Sequence, residues 1–600
     1  MLRLDDPFNP RTSCIKSRRL SCQSCRQMAS ANDKQDAIVR ASAVYCHGDL
    51  LDAVQRLHLF PDSKHFVDMP MREDPEDVVA AFLALPEAAR TDLEAMRSFV
   101  ASHFDEPGAD LVPITPGDWP SEPPLLKSVT DPDLREMLKA LHALWPTLIR
   151  VVSSKVADAP QRTSALSRRN PVVLPGGRFR ETYYWDSFWI VEGLLASGMV
   201  ETAQGLVQNL LDDVQAFGFV PNGGRIYYLN RSQPPLLCDM VASVARALGP
   251  AAAEFLGSAV PLLQKEYDWW MSGEHVIEVG GFLLNRYSAN WCAPRPESYR
   301  EDVETASGDA AVYKEIATAA ETGWDFSSRW TWAGSRVGGA FSLRETATTR
   351  VVPIDLNAML YRVECTLAAL SEAVATKVQL TDVEAAVGAG GSFTCTCAVT
   401  LAGAAQKRKE AIDKLMWQPV LGRWTDVWVP AASEPQSDVA SALDSSPTLA
   451  DFAPPLWAGL AMPESHGQIV NALKASGLLG VGGASTTVMD GTGQQWDAPN
   501  AWPPLQSMLI EGLRSLESSS GGPPLAAELA QQWVSTCYVA WRQTGFMHEK
   551  YNASRFGFGG SGGEYEPQVG FGWSNGVVLQ FLRDYGDSLA APENLTSCAG

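Results

Sequence analysis

From Val200 the apolar positions recur as Val200, Ala203, Leu206, Val207, Leu210, Leu211 and Val214. This i, i+3, i+4, i+7 stripe is one face of an amphipathic helix, because an α-helix returns every third or fourth side chain to the same side. Phe217-Gly218 predicts its end, since glycine takes the left-handed conformation that closes a helix. Leu356, Met359, Leu360, Val363, Leu367 and Leu370 repeat the stripe with no glycine among them. The same reading predicts helices over 185–197, 236–247, 252–272, 310–321, 505–516 and 525–542. Strand-like alternation is brief, at Val276-Ile277-Glu278-Val279 and Arg225-Ile226-Tyr227-Tyr228.

Loops rich in Gly, Pro, Asn and Trp separate these helices and carry the unusual residues. Such a layout predicts an all-α scaffold whose rigid helices present functional loops at one end. The segment 386–398, Gly- and Ala-rich and then Ser392-Phe393-Thr394-Cys395, reads as a loop insertion. No charge run or linker splits the chain, so one domain is expected.

Composition narrows the partners. The 600 residues are 46% apolar, 20% charged and 9% aromatic, a soluble globular balance. Lys and Arg number 48 against 69 Asp and Glu, a net −21. A nucleic-acid binder needs a basic face to offset phosphate charge, and an anionic membrane surface would repel this chain. The 19 Trp fit either a large core or a cleft whose flat rings cover sugar faces, and composition leaves both open.

Eleven Cys are too few and too odd in number for a disulfide framework. Cys22 and Cys25 form one C-x-x-C with Cys14 upstream, but no second pair or nearby His completes a zinc site. The eight His are scattered, so no metal and no cofactor are expected. The Arg- and Ser-bearing start, Arg3 to Arg26, reads as a disordered extension without an apolar core, and Met28 is an alternative start. A cytoplasmic location is therefore slightly favoured over secretion, for which the sequons at Asn230, Asn552 and Asn594 are weak signals. Uninterrupted apolar runs fall short of the roughly 18 residues of a membrane span.

Two loops concentrate chemistry. Pro175-Gly176-Gly177-Arg178-Phe179-Arg180-Glu181-Thr182-Tyr183-Tyr184-Trp185-Asp186 sets charges among aromatics, which burial tolerates only if they are paired or functional. Gln495-Trp496-Asp497-Ala498-Pro499-Asn500-Ala501-Trp502-Pro503-Pro504 alternates Trp, Asp and Pro before a helix. These segments resemble the paired signatures of the trehalases, P-G-G-R-F-x-E-x-Y-x-W-D and Q-W-D-x-P-x-x-W-x-P. The likeness extends from Tyr45-Cys46 through Leu59-Phe60-Pro61-Asp62-Ser63-Lys64 to Gly572-Trp573-Ser574-Asn575-Gly576.

The resemblance implies an (α/α)6 barrel, a toroid of six helical hairpins, that hydrolyses α,α-trehalose to two glucoses with inversion. Inversion needs two carboxyl groups roughly 6.5–9.5 Å apart, one protonating the leaving oxygen and one activating water. The family's acid motif is matched at Glu321-Thr322-Gly323-Trp324-Asp325-Phe326-Ser327-Ser328-Arg329-Trp330, implying Asp325 as the acid. Its Glu-Lys-Tyr motif is matched at Glu549-Lys550-Tyr551, implying Glu549 as the base. Residue chemistry agrees: Trp324 and Phe326 would desolvate Asp325 and keep it protonated, and Lys550 would favour an ionised Glu549.

The same resemblance implies Arg178, Arg231 and Arg295 as a clamp, since a guanidinium fork bridges two sugar oxygens in fixed geometry. Trp185, Asp186, Asn222, Gln233, Glu297, Gly323 and Trp496 are implied as their pocket companions. The run Gly557-Phe558-Gly559-Gly560-Ser561-Gly562-Gly563-Glu564-Tyr565 also satisfies G-x-G-x-x-G and G-x-S-x-G. It lacks the leading strand, following helix and phosphate-loop Lys that either site requires. In trehalases the matching loop closes over sugar and supplies a glutamate, here Glu564, though Phe558 and Ser561 interrupt the usual glycines. The expected organisation is an extension over 1–40, a catalytic domain over 41–588 and a tail over 589–600, acting as a monomer on trehalose. Two other readings stand beside it: an inverting glycosidase for maltose or a trehalose derivative, and a non-catalytic trehalose sensor.

Overall fold

The computed structural model describes residues 35–331, 341–388, 392–430 and 446–593. The arginine-bearing start, Met28, the C-x-x-C with Cys14, and Asn594 lie outside the described residues. Twelve helices make up the body: α1 Pro132–Leu148, α2 Asp186–Ala196, α3 Val200–Phe217, α4 Leu237–Leu248, α5 Ala252–Trp270, α6 Ile354–Thr376, α7 Thr396–Leu415, α8 Ala453–Trp457, α9 His466–Ala475, α10 Pro503–Arg514, α11 Gly522–Thr544 and α12 Gly572–Tyr585. Their ends follow the expected chemistry. Asp131 caps α1 by accepting from the amides of Asp133 and Leu134, and Gly218 closes α3 at φ 94°.

Burial sorts the helices into two rings. The even-numbered α2, α4, α10 and α12 bury consecutive residues on nearly every face, as Phe188-Trp189-Ile190-Val191 do in α2. The odd-numbered α3 and α5 bury one stripe and expose the other. A helix apolar all round has to be covered all round, so the first group is inner and the second outer. Contacts run α2–α4–α6–α8–α10–α12 and return from α12 to α2, closing the inner ring. The fold is all-α with an (α/α)6 arrangement, as expected. At the α2–α12 crossing only glycine fits: a Cβ on Gly576 would sit 2.0 Å from the Trp189 carbonyl oxygen.

Even-to-odd connections such as Ser197–Met199 and 249–251 are short, although the one between α6 and α7 carries the helix Leu380–Gly388, whereas 149–185, 218–236, 271–353 and 545–571 run from outer to inner helices. These long runs stand over the N-terminal ends of the inner helices. A satellite of helices, Asp49–Arg56, Lys64–Val67, Pro75–Ala84 and Leu93–His103, packs its own apolar cluster against Tyr183, Ile226, Tyr227 and Tyr228 from two of them. A buried network of Lys64, Asp68, Asp110, Glu181 and Arg225 seals that seam.

Several expectations need correction. Residues 225–228 form no strand: Ile226–Tyr228 is a 3-10 turn with all three side chains buried. The segment 386–398 is helical at both ends, where one helix covers Leu380–Gly388 and α7 begins at Thr396, capped by the Cys395 sulfur; 392–395 are not helical, and 389–391 lie outside the described residues. A helix already occupies 35–45, so residue 40 falls inside it. Leu589 is buried in the core, inside the segment read as a tail. Val276–Val279 is a strand, β1, paired antiparallel with β2 at Phe282–Asn285. A second short ladder matters more for the site: β3, Asn500–Ala501, pairs with β4, Tyr551–Asn552.

Candidate active site

The long connections meet in one cavity. Asp325, Glu549, Arg178, Trp185, Asp186, Asn222, Arg231, Gln233, Arg295, Glu297, Gly323, Trp496 and Glu564 all line it. The connection ahead of α2 brings Arg178 to Trp185, with Asp186 as the first residue of the helix itself. The connection ahead of α4 brings Asn222 to Gln233. Arg295, Glu297, Gly323 and Asp325 precede α6, Trp496 precedes α10, and Glu549 and Glu564 precede α12.

The wall is aromatic. Trp496 stacks on Trp502 with centroids 3.9 Å apart, and Trp324 stacks on its other neighbour face at 5.4 Å. Trp185 meets Trp189 and Trp573 edge-on. Gly323, at φ 75°, lies so close to Trp185 that a Cβ would come within 3.0 Å of the indole. Side chains locked by such packing hold the polar groups between them in place.

The arginines are braced by carboxylates. Arg178 forks onto Asp62 with both bonds at 2.7 Å and lies 4.5 Å from the Tyr565 ring centroid. Arg231 donates to Glu297 at 2.6 Å and to Asn222 at 2.8 Å. Arg295 donates to Asp302 at 2.6 Å and to Glu564 at 3.1 Å. Pairing leaves donors over: Nη1 of Arg178 and of Arg295 makes no hydrogen bond among the described residues.

The carboxyls divide by partner. Burial pushes Glu297 up, but Arg231 and Arg295 outweigh it and hold the group below the usual range. Asp325 keeps part of its surface open to the cavity, yet loss of bulk water pushes its carboxyl up to about 6, against the pull of Arg295 and Arg231. Burial also raises Glu549 above the ordinary value, opposed by Lys550, Tyr565, Gln568 and Arg178. Asp186 is raised well above the usual range by burial and then by the charges of Glu549 and Asp325. Glu564 is pushed up to about 7 by burial despite Arg295.

Glu549 accepts the Tyr565 hydroxyl at 2.7 Å on one oxygen and the Gln568 amide at 3.3 Å on the other. Trp573 Nε1 fixes its backbone by donating to the Glu549 carbonyl at 2.8 Å. Lys550 favours ionised Glu549 through its charge, as expected, without an ion pair to it. Its ammonium bonds Gln495 Oε1 at 2.6 Å and the Gly562 carbonyl at 3.0 Å rather than the Glu549 carboxylate. Its charge pulls Glu549 down, but burial is the larger effect.

Sequence reasoning did not single out Tyr565, Gln495, Asp62 or Phe571 as functional. Tyr565 follows Glu564 directly and Gln495 opens the second signature, so both were within reach. Asp62 gave no local sign of reaching Arg178. Among the described residues no cluster of three or more His, Cys, Asp or Glu is arranged to hold a metal ion, and no helix is long and apolar enough to cross a membrane.

Paired helices in a closed ring bring indoles, arginines and carboxyls together in one cavity at one end, the groups that cover and hydrogen-bond a sugar. The trehalase family model matches residues 58–586. The chain is 37% identical to trehalase from Oryctolagus cuniculus over 565 residues, 92% of each chain. It is 38% identical to trehalase from Homo sapiens over 565 residues, covering 92% of this chain and 91% of that one. The solved neutral trehalase from Saccharomyces cerevisiae superimposes with a TM-score of 0.55 at 26% identity, over 69% of this chain and 73% of that one. The chain belongs to the trehalase family.

Proposed function

We propose that this protein hydrolyses α,α-trehalose to two glucose molecules in a single displacement, with Asp325 as general acid and Glu549 as general base. The observation that carries the assignment is how the cavity's carboxyls are partnered. Glu297 and Glu564 are clamped to arginines, whereas Asp325, Glu549 and Asp186 have no ion pair among the described residues, and of these three the matched acid and base motifs fall on Asp325 and Glu549. A carboxyl lifted to about 6 retains a proton to give at mildly acidic pH. A carboxylate accepting a phenol and a backbone amide is stabilised in the charged form that a base needs.

The Asp325 proton passes to the bridging oxygen as the bond from that oxygen to the anomeric carbon breaks. Water attacks the same carbon from the opposite face and gives its proton to Glu549. One glucose leaves with its configuration retained and the other is released inverted. Arg178, Arg231 and Arg295 hold sugar hydroxyls through their spare donors, Asp186, Asn222, Gln233 and Glu297 complete the polar contacts, and Trp185 and Trp496 give the cavity its apolar wall. The convergence of residues from Arg178 to Trp573 on one cavity supports a single catalytic domain, with the helix over 35–45 and the buried Leu589 inside it.

Glucose release from trehalose by wild type, Asp325→Asn and Glu549→Gln tests the assignment. Loss of nearly all turnover in both variants, with unfolding still cooperative, is expected. Retained turnover in either one removes that residue from its role, and release from maltose alone replaces the substrate.

A further inference from the structure

We infer that Gln495 and Lys550 form a positioning brace that holds the acid segment and the base segment at working separation. The inference rests on the assignment of Asp325 and Glu549 above. Gln495 is buried, and its amide is used at both ends: Nε2 donates to the Asp325 carbonyl oxygen at 2.6 Å, and Oε1 accepts from Lys550 Nζ at 2.6 Å. Lys550 is the residue after Glu549. One side chain thus links the backbone of the acid to the neighbour of the base.

The surrounding bonds run the same way. The Trp496 amide donates to the Phe326 carbonyl at 3.0 Å, and β3, just beyond, pairs with β4, just beyond Lys550. The glycine-rich segment closes the arrangement from above. Lys550 donates to the Gly562 carbonyl at 3.0 Å, and a Cβ on Gly563 would stand 2.7 Å from Gln495 Oε1. An amide is the group this position demands, since it donates at one end and accepts at the other. A leucine does neither, and a glutamate only accepts.

Spacing is what inversion depends on, because water has to fit between one carboxyl and the anomeric carbon. Charges near Glu549 come from Lys550 on its own segment, Arg178 ahead of α2, Asp186 at the start of α2 and the Tyr565 phenol. Of these, only Lys550 belongs to the brace.

The test is kcat and KM on trehalose against pH for wild type, Gln495→Leu, Lys550→Met and the double variant. Each single variant is expected to lower kcat about 100-fold while KM stays within about threefold, as a misplacement near 1 Å does. The double variant should be no slower than the slower single one, because the two side chains act as one unit. Lys550→Met should also move the acidic limb of the profile upward, whereas Gln495→Leu, which keeps the cation, should leave that limb in place. A purely structural role gives no such split. Where Gln495→Leu does not fold, Gln495→Met serves the same comparison, keeping the length and adding no charge but losing the amide donor and acceptor. Unchanged kcat in either single variant, or losses that multiply in the double, overturns the brace. Asp325→Asn and Glu549→Gln run alongside: activity kept there sinks the catalytic assignment, while activity lost there with normal brace variants sinks the brace alone.

Discussion

Two groups of buried charge lie close together in this protein and are built on opposite rules. At the seam under the N-terminal helices, Arg225 meets Glu181 at 2.8 Å and Asp110 at 3.1 Å, and Lys64 joins Glu181 at 2.9 Å. Burial there pushes Asp68 up, yet Arg225 and Lys64 bring it below the usual range. In the cavity, Asp325, Glu549 and Asp186 are raised and have no ion pair among the described residues. Where every charge has a partner, the cluster sets structure. Where carboxyls are left without cations, their protons are available for chemistry, and stability is lower for it.

The contrast can be broken from either side. Arg225→Met should have the largest effect, since it leaves Asp68, Asp110 and Glu181 buried without their main cation. A loss of about 3–5 kcal/mol in denaturant unfolding is expected, and a loss near zero would show that the seam is not held by its charges.

Asp325→Asn should act in the opposite direction. Its carboxyl is raised from 3.8 to about 6 in the folded protein. Below the lower value both states hold the proton and nothing is gained. Above the higher value the folded state carries an unfavourable charge that the substitution removes. The variant should therefore be more stable at pH 7 by up to about 2 kcal/mol, after allowing for water in the cavity, and equal to wild type near pH 3. A variant that is less stable at both pH values contradicts the reading.

Tyr565→Phe should do less. Removing the phenol takes a hydrogen bond from the charged form of Glu549, so the acidic limb of kcat/KM should rise by about one pH unit. An unmoved limb would mean that Tyr565 does not stabilise the ionised base. The smallest effect belongs to Arg97→Ala, whose exposed pair with Glu94 at 3.0 Å serves as the control. Its unfolding midpoint should match wild type.

Much of this was legible in the sequence, and the remainder was hidden for physical reasons. Helical periodicity located α3, α4, α5 and the helix Ala310–Glu321 closely, because buried apolar side chains recur at helical spacing along each. Alternation at Arg225–Tyr228 misled because Ile226, Tyr227 and Tyr228 are all buried in a turn at the seam, a tertiary effect that no local pattern encodes. The start of α7 was missed because a cysteine sulfur, not one of the usual capping oxygens, accepts from its first turn. Two long signatures pointed to the cavity residues, yet the arginines' partners Asp62 and Asp302 had no signature of their own. Lys550 favours the ionised form of Glu549 as its adjacency implied, but nothing local to it showed that its ammonium would bond Gln495 and Gly562.

Proton NMR of the anomeric signals during the first turnovers on trehalose tests the central claim most directly. Water delivered by Glu549 opposite the bond protonated by Asp325 gives one β-glucose for each α-glucose before mutarotation mixes them. Two α-glucoses at first formation would contradict inversion and, with it, the roles assigned to the two carboxyls.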